Sequence, residues 1–357
     1  MIRRGFAGVI LLLGSAAGHA DPLQHELLVF GSAEAADTGG RGDSEDDVHA
    51  LLSADVLFSL QKDHFKVFGE YLLTNHEADL ERFQIGWEPT SDTVVWIGRF
   101  HQPASVWNHE HHHGRFLQTA ITRPAAENWE DDAGIIPQHY VGALVESTWH
   151  LPSGHTLETS AGAGLAPVLT TRGLEPINLL QPDFRGHGFG IQGRLAFAWD
   201  ELGDTGAGLL FAKGKLNVEE NAAVALPGLD HVEQTMIGAY ASYAHDSWKV
   251  SAVVYRIDAD TIVRSMIEPA SRFSVGYLQV ERELSGGLHL FARDERGTNL
   301  TQSVYLSLFP HFVTSRTTLG LRWDFARRQA LTVQGSNTQT RSNAYGELRI
   351  QWSAALL

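Results

Sequence analysis

The chain has 357 residues, 43% hydrophobic and 19% charged with 35 Gly, which excludes a disordered tail; no run of 18 apolar residues occurs, which excludes a polytopic helical membrane protein. Lys and Arg number 27 against 42 Asp and Glu, a formal charge of -15 that repels a phosphate backbone and excludes nucleic acid as a partner. The absence of Cys excludes disulfides, iron–sulfur centres and thiolate zinc sites, and suits an oxidising compartment.

Residues 1–20 read as an export signal. Arg3 and Arg4 form a positive start, Gly5 to Ala17 an apolar core, and Gly18-His19-Ala20 a small-x-small cleavage site. A mature chain beginning at Asp21 keeps 25 Lys and Arg against 42 Asp and Glu, a charge of -17. No Cys follows the cleavage site, so no lipoprotein anchor is expected.

Beyond the signal, apolar and polar residues alternate in segments of about ten residues, the length a tilted strand needs to cross a bilayer. Sixteen strands are predicted, over 23–33, 48–61, 64–75, 79–90, 93–101, 140–151, 155–164, 187–200, 205–217, 233–246, 248–261, 272–284, 288–297, 315–326, 329–340 and 344–355. In the eighth, Phe189, Ile191, Leu195, Phe197 and Trp199 oppose Gln192 and Arg194; in the fourteenth, Leu319, Leu321, Trp323 and Phe325 oppose Gly320, Arg322 and Asp324. The last strand sets Leu348, Ile350 and Trp352 against Glu347, Arg349, Gln351 and Ser353. Such alternation also suits a soluble sandwich, so connections must decide.

The connections alternate in length. Those near Gln61-Lys62-Asp63, Pro152-Ser153-Gly154, Glu201-Leu202-Gly203-Asp204 and Ser285-Gly286-Gly287 are short, whereas 34–47, 102–139, 165–186, 218–232, 262–271 and 298–314 are long. Short turns on one rim and mostly long loops on the other define a transmembrane antiparallel β-barrel of about 16 strands, with 14 or 18 as alternatives because two outer connections, near Asn75 to Ala78 and Arg341 to Asn343, are short and the first strand alternates poorly. Trp87, Trp96, Trp149, Trp199, Trp248, Trp323 and Trp352 all fall beside the short turns, where an aromatic girdle belongs.

The mature chain resembles Gram-negative porin-type outer-membrane proteins. The stretch Gly98-Arg99-Phe100-His101, Trp107-Asn108, His112-His113-Gly114, Leu117-Gln118-Thr119, Arg123-Pro124 and Glu130-Asp131 is similar to that of a proteobacterial porin-like group. The resemblance implies passive diffusion of small hydrophilic solutes through an outer-membrane channel. It also implies contact with outer-membrane lipid and lipopolysaccharide, insertion by the barrel assembly machinery, and a homo-oligomer. The sequence departs from the class in two places: the 102–139 loop lacks a Pro-Glu-Phe-Gly-Gly type of signature, and the chain ends Ala354-Ala355-Leu356-Leu357 instead of on an aromatic residue.

The 102–139 loop, third on the outer side and 38 residues long, exceeds what a hairpin requires. In porins this loop folds into the lumen, and Phe116, Leu117 and Ile121 are expected to pin it to the wall. Its acids Glu127, Glu130, Asp131 and Asp132 then oppose inward bases, by strand parity Arg82, Arg99, Arg194, Arg322 and Arg349, and the transverse field sets cation preference. The alternative is a solvated acidic surface loop. His101, His109, His111, His112 and His113 cluster here, and in an extended segment His109, His111 and His113 share one face, a weak site for Zn(II) or Cu(II). Polar pore lining that gains charge as pH falls through about 6.5 is the simpler role. No Gly-x-Ser-x-Gly elbow or His-Glu-x-x-His helix occurs and no plug domain precedes strand one, so no enzyme and no plugged transporter is expected. The rival readings are a non-conducting structural or adhesin-type barrel and a metal-responsive channel.

Overall fold

The computed structural model describes residues 23–39, 48–111, 115–130, 133–199, 205–219, 226–264, 266–267 and 271–356. The expected signal, together with Asp131, Asp132, His112 and His113, lies outside the described residues. Sixteen long strands form the wall: β1 Gln24–Asp37, β2 Val48–Lys62, β3 Phe65–Thr74, β4 Ala78–Thr90, β5 Thr93–His101, β6 His139–His150, β7 Thr156–Leu165 and β8 Phe189–Ala198. The second half comprises β9 Gly206–Asn217, β10 Leu229–His245, β11 Trp248–Val263, β12 Ser271–Glu283, β13 Leu288–Thr298, β14 Val313–Ala326, β15 Gln329–Thr340 and β16 Ala344–Ala355. Each pairs antiparallel with the next, and β16 returns to β1 in a register running from Phe30↔Ala355 to Asp37↔Leu348. Closure leaves no unpaired edge for lipid to solvate.

The predicted strands correspond to these sixteen with ends shifted by a few residues. Strand β1 runs four residues further than its weak alternation indicates. Its outer half is held by Glu34, which turns inward and accepts hydrogen bonds from Arg349 and Gln351 across the seam. The turns at residues 152–154 and 285–287 lie on one rim, since both follow even-numbered strands of an antiparallel series. The turn at 201–204 lies outside the described residues.

Alternation sorts the two faces as expected. On β14, Leu319, Leu321, Trp323 and Phe325 are exposed outward while Arg316, Thr318 and Arg322 are buried inside. Trp87, Trp149, Trp199, Trp248 and Trp323 are exposed beside the short turns. Trp96 departs from the girdle: it shares the inward face of β5, lies over Gly86, and donates Nε1 to Glu146 Oε2 at 2.9 Å. The indole N–H finds its acceptor inside, which lipid would not offer.

One sector of the wall breaks the polar-inside rule. On β11 the inward residues Val253, Tyr255, Ile257 and Ala259 are buried, as are Phe273, Val275 and Tyr277 on β12 and Val232 and Met236 on β10. An apolar inner wall must be covered by protein or it faces water. The cover comes from the loop between β5 and β6 and from residues 299–312, whose Tyr305, Leu306, Phe309 and Phe312 join the same cluster.

The two faces predict opposite responses to the same charge. Leu319→Arg, on the lipid face near the middle of β14, should destabilise the barrel by about 2–4 kcal/mol in urea titrations from lipid vesicles. Thr148→Arg, on the inner face of β6 beside a polar cavity, should cost no more than about 1 kcal/mol by the same titration.

Candidate channel constriction

The described residues of 102–138, the connection from β5 to β6, do not stand on the surface but form an inner loop folded into the lumen. Gly98 prepares the turn: its φ of +139° would put a Cβ 2.0 Å from Phe83 O, so only glycine allows β5 to bend there. Beyond the bend a short helix, α1 Val106–His111, buries Val106 and Trp107.

The loop carries its own polar skeleton. Glu127, 0% exposed, accepts Ser105 Oγ at 2.8 Å and the Trp107 backbone N–H at 2.6 Å, so its carboxylate satisfies the start of α1 from twenty residues away. Arg123 donates Nε to Glu127 O at 3.1 Å, bonds Asn108 Oδ1 through Nη2, and stacks 3.5 Å over the Trp129 ring. Glu130 receives the backbone N–H groups of Gln138 at 2.7 Å and His139 at 3.0 Å, and meets His139 Nδ1 at 2.6 Å. Burial pushes the Glu127 carboxyl up, against the pull of its Trp107, Ser105 and Arg123 contacts. The same burial draws the Arg123 guanidinium down to about 9, opposed chiefly by Glu127.

The wall holds this loop largely by its backbone. Arg293 donates Nη2 to Thr122 O at 2.8 Å and to Thr122 Oγ1 at 2.9 Å; Arg316 bonds Arg123 O; Arg322 donates to Phe116 O at 2.6 Å and also to Gln118 O. Gln334 Oε1 accepts Ile121 N–H at 2.9 Å, and Glu295 Oε2 accepts Ala125 N–H at 2.6 Å. Arg115 reaches Glu34 at 2.6 Å and Thr119 donates to Glu281 at 2.6 Å. Tyr255 OH donates to Ala104 O at 3.2 Å, while Tyr305 OH and Gln234 Nε2 both donate to Ile135 O, at 2.6 and 3.0 Å. Residues 115–125 are thereby tied to β1 and β12–β15.

The candidate residues thus fall into different places. Glu127 binds the loop to itself, and Glu130 ties the loop's Gln138 and the start of β6 at His139. Arg322 grips the loop; Arg82 pairs with buried Glu70; Arg194 pairs with Glu158 at 2.9 Å and donates to Tyr240 OH at 2.7 Å; Arg349 pairs with Glu34 and Glu347. Arg99, 1% exposed, donates to Ile177 O at 3.1 Å and to Asp79 and Glu81 at 3.3 Å, beneath the outer loops. Of the three apolar anchors, Ile121 is buried, Phe116 is half-buried under the Arg322 guanidinium, and Leu117 is 46% exposed. The stronger anchors, Ala104, Val106, Trp107, Ile135 and Ile136, precede and follow that segment. His109 and His111 stand on α1, where residues two apart point about 200° apart, so the shared face of an extended segment is absent. Among the described residues no group of three His, Asp or Glu is arranged to hold a metal ion. Arg293 and Arg316 escaped sequence reading, although strand parity places both inward.

Space remains on the other side of the lumen. An outer cavity of about 490 Å³ is bounded by Leu72, Asp79, Glu81, Arg99 and by Trp129 and Glu130 of the loop. Two inner cavities of about 390 and 380 Å³ adjoin beneath α1, sharing His109, Glu158 and Arg194. His109 Nε2 stands 3.8 Å from Glu158 Oε2 between them.

A closed sixteen-stranded antiparallel barrel with an apolar exterior and an inner loop is the fold of bacterial outer-membrane porins. Solved structures of this fold include OmpF of Salmonella typhi in complex with daunomycin, at a TM-score of 0.61 and 11% identity over 93% of this chain and 97% of that one. The outer membrane channel DcaP of Acinetobacter baumannii follows at 0.58 and 11%, covering 94% and 97%. An anion-selective porin from Comamonas acidovorans stands at 0.58 and 12%, covering 94% and 100%. No family model and no curated protein sequence matches the chain.

Glu127 generates a test of the loop. Glu127→Ala strands the Trp107 N–H and should raise hydrogen exchange there about tenfold to a hundredfold, following an orphaned-donor cost of roughly 1–3 kcal/mol, with strand circular dichroism unchanged. Because burial raises Glu127, the docked loop holds its proton more tightly than an undocked one. Protection should therefore be greatest in acid and decline as pH rises through the raised value, and Glu127→Gln, which keeps an acceptor, should remove that dependence.

Proposed function

We propose that the protein is a porin-like channel of a Gram-negative outer membrane, passing small hydrophilic solutes by passive diffusion, with cations preferred and the inner loop setting the width. The observation that carries this reading is a 16-strand lumen with polar cavities at both mouths and a loop bonded across part of its section. Cleavage after Ala20, insertion by the barrel assembly machinery and contact with lipopolysaccharide accompany it. So does self-association: among proteins of the same fold, OmpT of Vibrio cholerae has a structure described as a trimer form, matched here at a TM-score of 0.58 and 8% identity over 94% of this chain and 100% of that one.

Cation preference rests on charge, since the fold itself serves either sign. The mature chain carries -17, and an excess of acid inside a narrow aqueous path raises the local concentration of cations. A second reading, a non-conducting structural or adhesin-type barrel, draws on the same loop, which bonds to β1 and to β10–β15 and so resembles a plug.

Planar-bilayer recording separates the two. The refolded protein should conduct, its reversal potential in a salt gradient should take the cation sign, and deletion of residues 104–136 should raise single-channel conductance about two- to fivefold as the loop's section opens to water. A silent wild type with a conducting deletion would establish the plug. Unchanged conductance after deletion would remove the loop from the path.

A further inference from the structure

The inner loop leaves the wall at His101, the last residue of β5, and rejoins it at His139, the first of β6. The two are register partners, and their rings meet edge to face at 4.8 Å. Trp129 of the loop packs on both, its ring stacked 5.8 Å from that of His139 and tilted 6.0 Å from that of His101, and the Arg123 guanidinium lies 3.5 Å from the same indole. The neck of the loop is therefore closed by side chains from both of its ends and from its interior.

His139 is the member with two acids. It is 4% exposed; Nδ1 meets Glu130 Oε2 at 2.6 Å, and Nε2 stands 3.2 Å from Glu81 Oε2 on β4, across the width of β5. A neutral imidazole has one N–H and one lone pair, so carboxylate oxygens at both nitrogens would set that lone pair against an anion, whereas the imidazolium donates to both. The surrounding charges agree. Glu81 and Glu130 are buried, and Arg99 reaches the same Glu81 oxygen through Nη2 at 3.3 Å and Asp79 through Nη1. A proton on His139 balances the buried set of Glu81, Glu130, Arg99 and His139, and an unbalanced set of this kind is costly. His101 adds a second imidazole from β5, Arg123 lies beyond Trp129, and Tyr140 follows on β6. Glu77, Glu175 and Arg172 face the group across the outer cavity, which His139 lines.

Glu130 also accepts the backbone N–H groups of Gln138 and His139, so it fixes the return of the loop, and with Trp129 it borders the outer cavity. Glu81 belongs to the wall. We propose that His139 is a proton-dependent latch of the inner loop, whose imidazolium bridges Glu130 to Glu81 and holds the outer edge of the loop against β4. When the Nε2 proton passes to solvent in the outer cavity, Nδ1–H keeps Glu130, the Glu81 contact breaks, and Trp129 and Glu130 are free to move into the cavity. The docked edge is thus fully stable while His139 is protonated and loosens as pH rises. The latch is a property of the fold, and only its effect on current rests on the channel reading.

Ring protons and amide exchange test the latch without conduction. In the refolded barrel with nitrogen-15-labelled histidine, the signals missing from His139→Gln identify His139 among the 18 histidines. Both of its ring nitrogens should be protonated at neutral pH, and one unprotonated nitrogen there overturns the latch. Exchange at the Gln138 and His139 amides, corrected for the intrinsic rate, should quicken about tenfold between about pH 6 and about pH 9 as the edge opens. Glu81→Gln leaves the loop intact and offers an amide N–H to the Nε2 lone pair of a neutral ring, so it should keep the edge docked and remove the pH dependence. A merely structural contact would not be rescued in this way. Exchange in Glu81→Gln that follows pH as the wild type does overturns the proposal, as does wild-type exchange that stays slow throughout. In planar bilayers the wild type should close severalfold more often at the alkaline end of that range, and Glu81→Gln equally at both ends. A conducting wild type indifferent to pH overturns the control of the pore by the latch. A silent wild type overturns the channel reading instead, and the ring protons and amide exchange still decide the latch.

Discussion

The structure depends on how a long irregular loop can stay inside a barrel without leaving its peptide groups unsatisfied. An inner loop is not a strand, so its carbonyls and amides have no ladder to join. Here the wall supplies the partners: Arg293, Arg316 and Arg322 donate to Thr122, Arg123, Phe116 and Gln118 carbonyls, while Gln334 and Glu295 accept from Ile121 and Ala125 amides. Each charge-assisted bond of this kind contributes about 1.5–3 kcal/mol, and the loss of any one leaves a buried group orphaned. The arginines are themselves neutralised by neighbours on the wall, Glu295 for Arg293 and Arg316 at 3.0 and 2.7 Å, and Asp324 for Arg322 at 2.8 Å.

Apolar contact fixes where the loop goes; hydrogen bonding fixes how it lies there. Tyr255, Ile257, Phe273 and Tyr277 offer an inner wall that water wets poorly, and Trp107, Ile135 and Ile136 cover it. The consequence is a lumen of two unlike halves. The half before β10–β12 is packed like a soluble core, and the half before β2–β8 keeps charged side chains and open volume.

The barrel was legible because period-two alternation and turn length are local signals. A strand such as Leu319–Phe325 states its two faces within a few residues. Strand β11 does not, since Val253, Val254 and Tyr255 are apolar on both sides, and only the buried loop explains why an inward face should be greasy. The α1 helix was also hidden. Its start is satisfied by Glu127, too distant in sequence for a capping signature, and the histidines read as an extended tract therefore diverge. Glu127 and Glu130 looked like lumen acids because composition shows a carboxylate but not its partners.

That last point decides how charge acts in this lumen. A carboxylate that accepts two backbone amides, as Glu130 does, has its field turned into the fold and little remains for a passing ion. The same holds for the wall bases Arg293, Arg316, Arg322 and Arg349, each bound to an acid or to a loop carbonyl. A selectivity element is thus recognised by incomplete pairing, not by the number of charges near the narrow section.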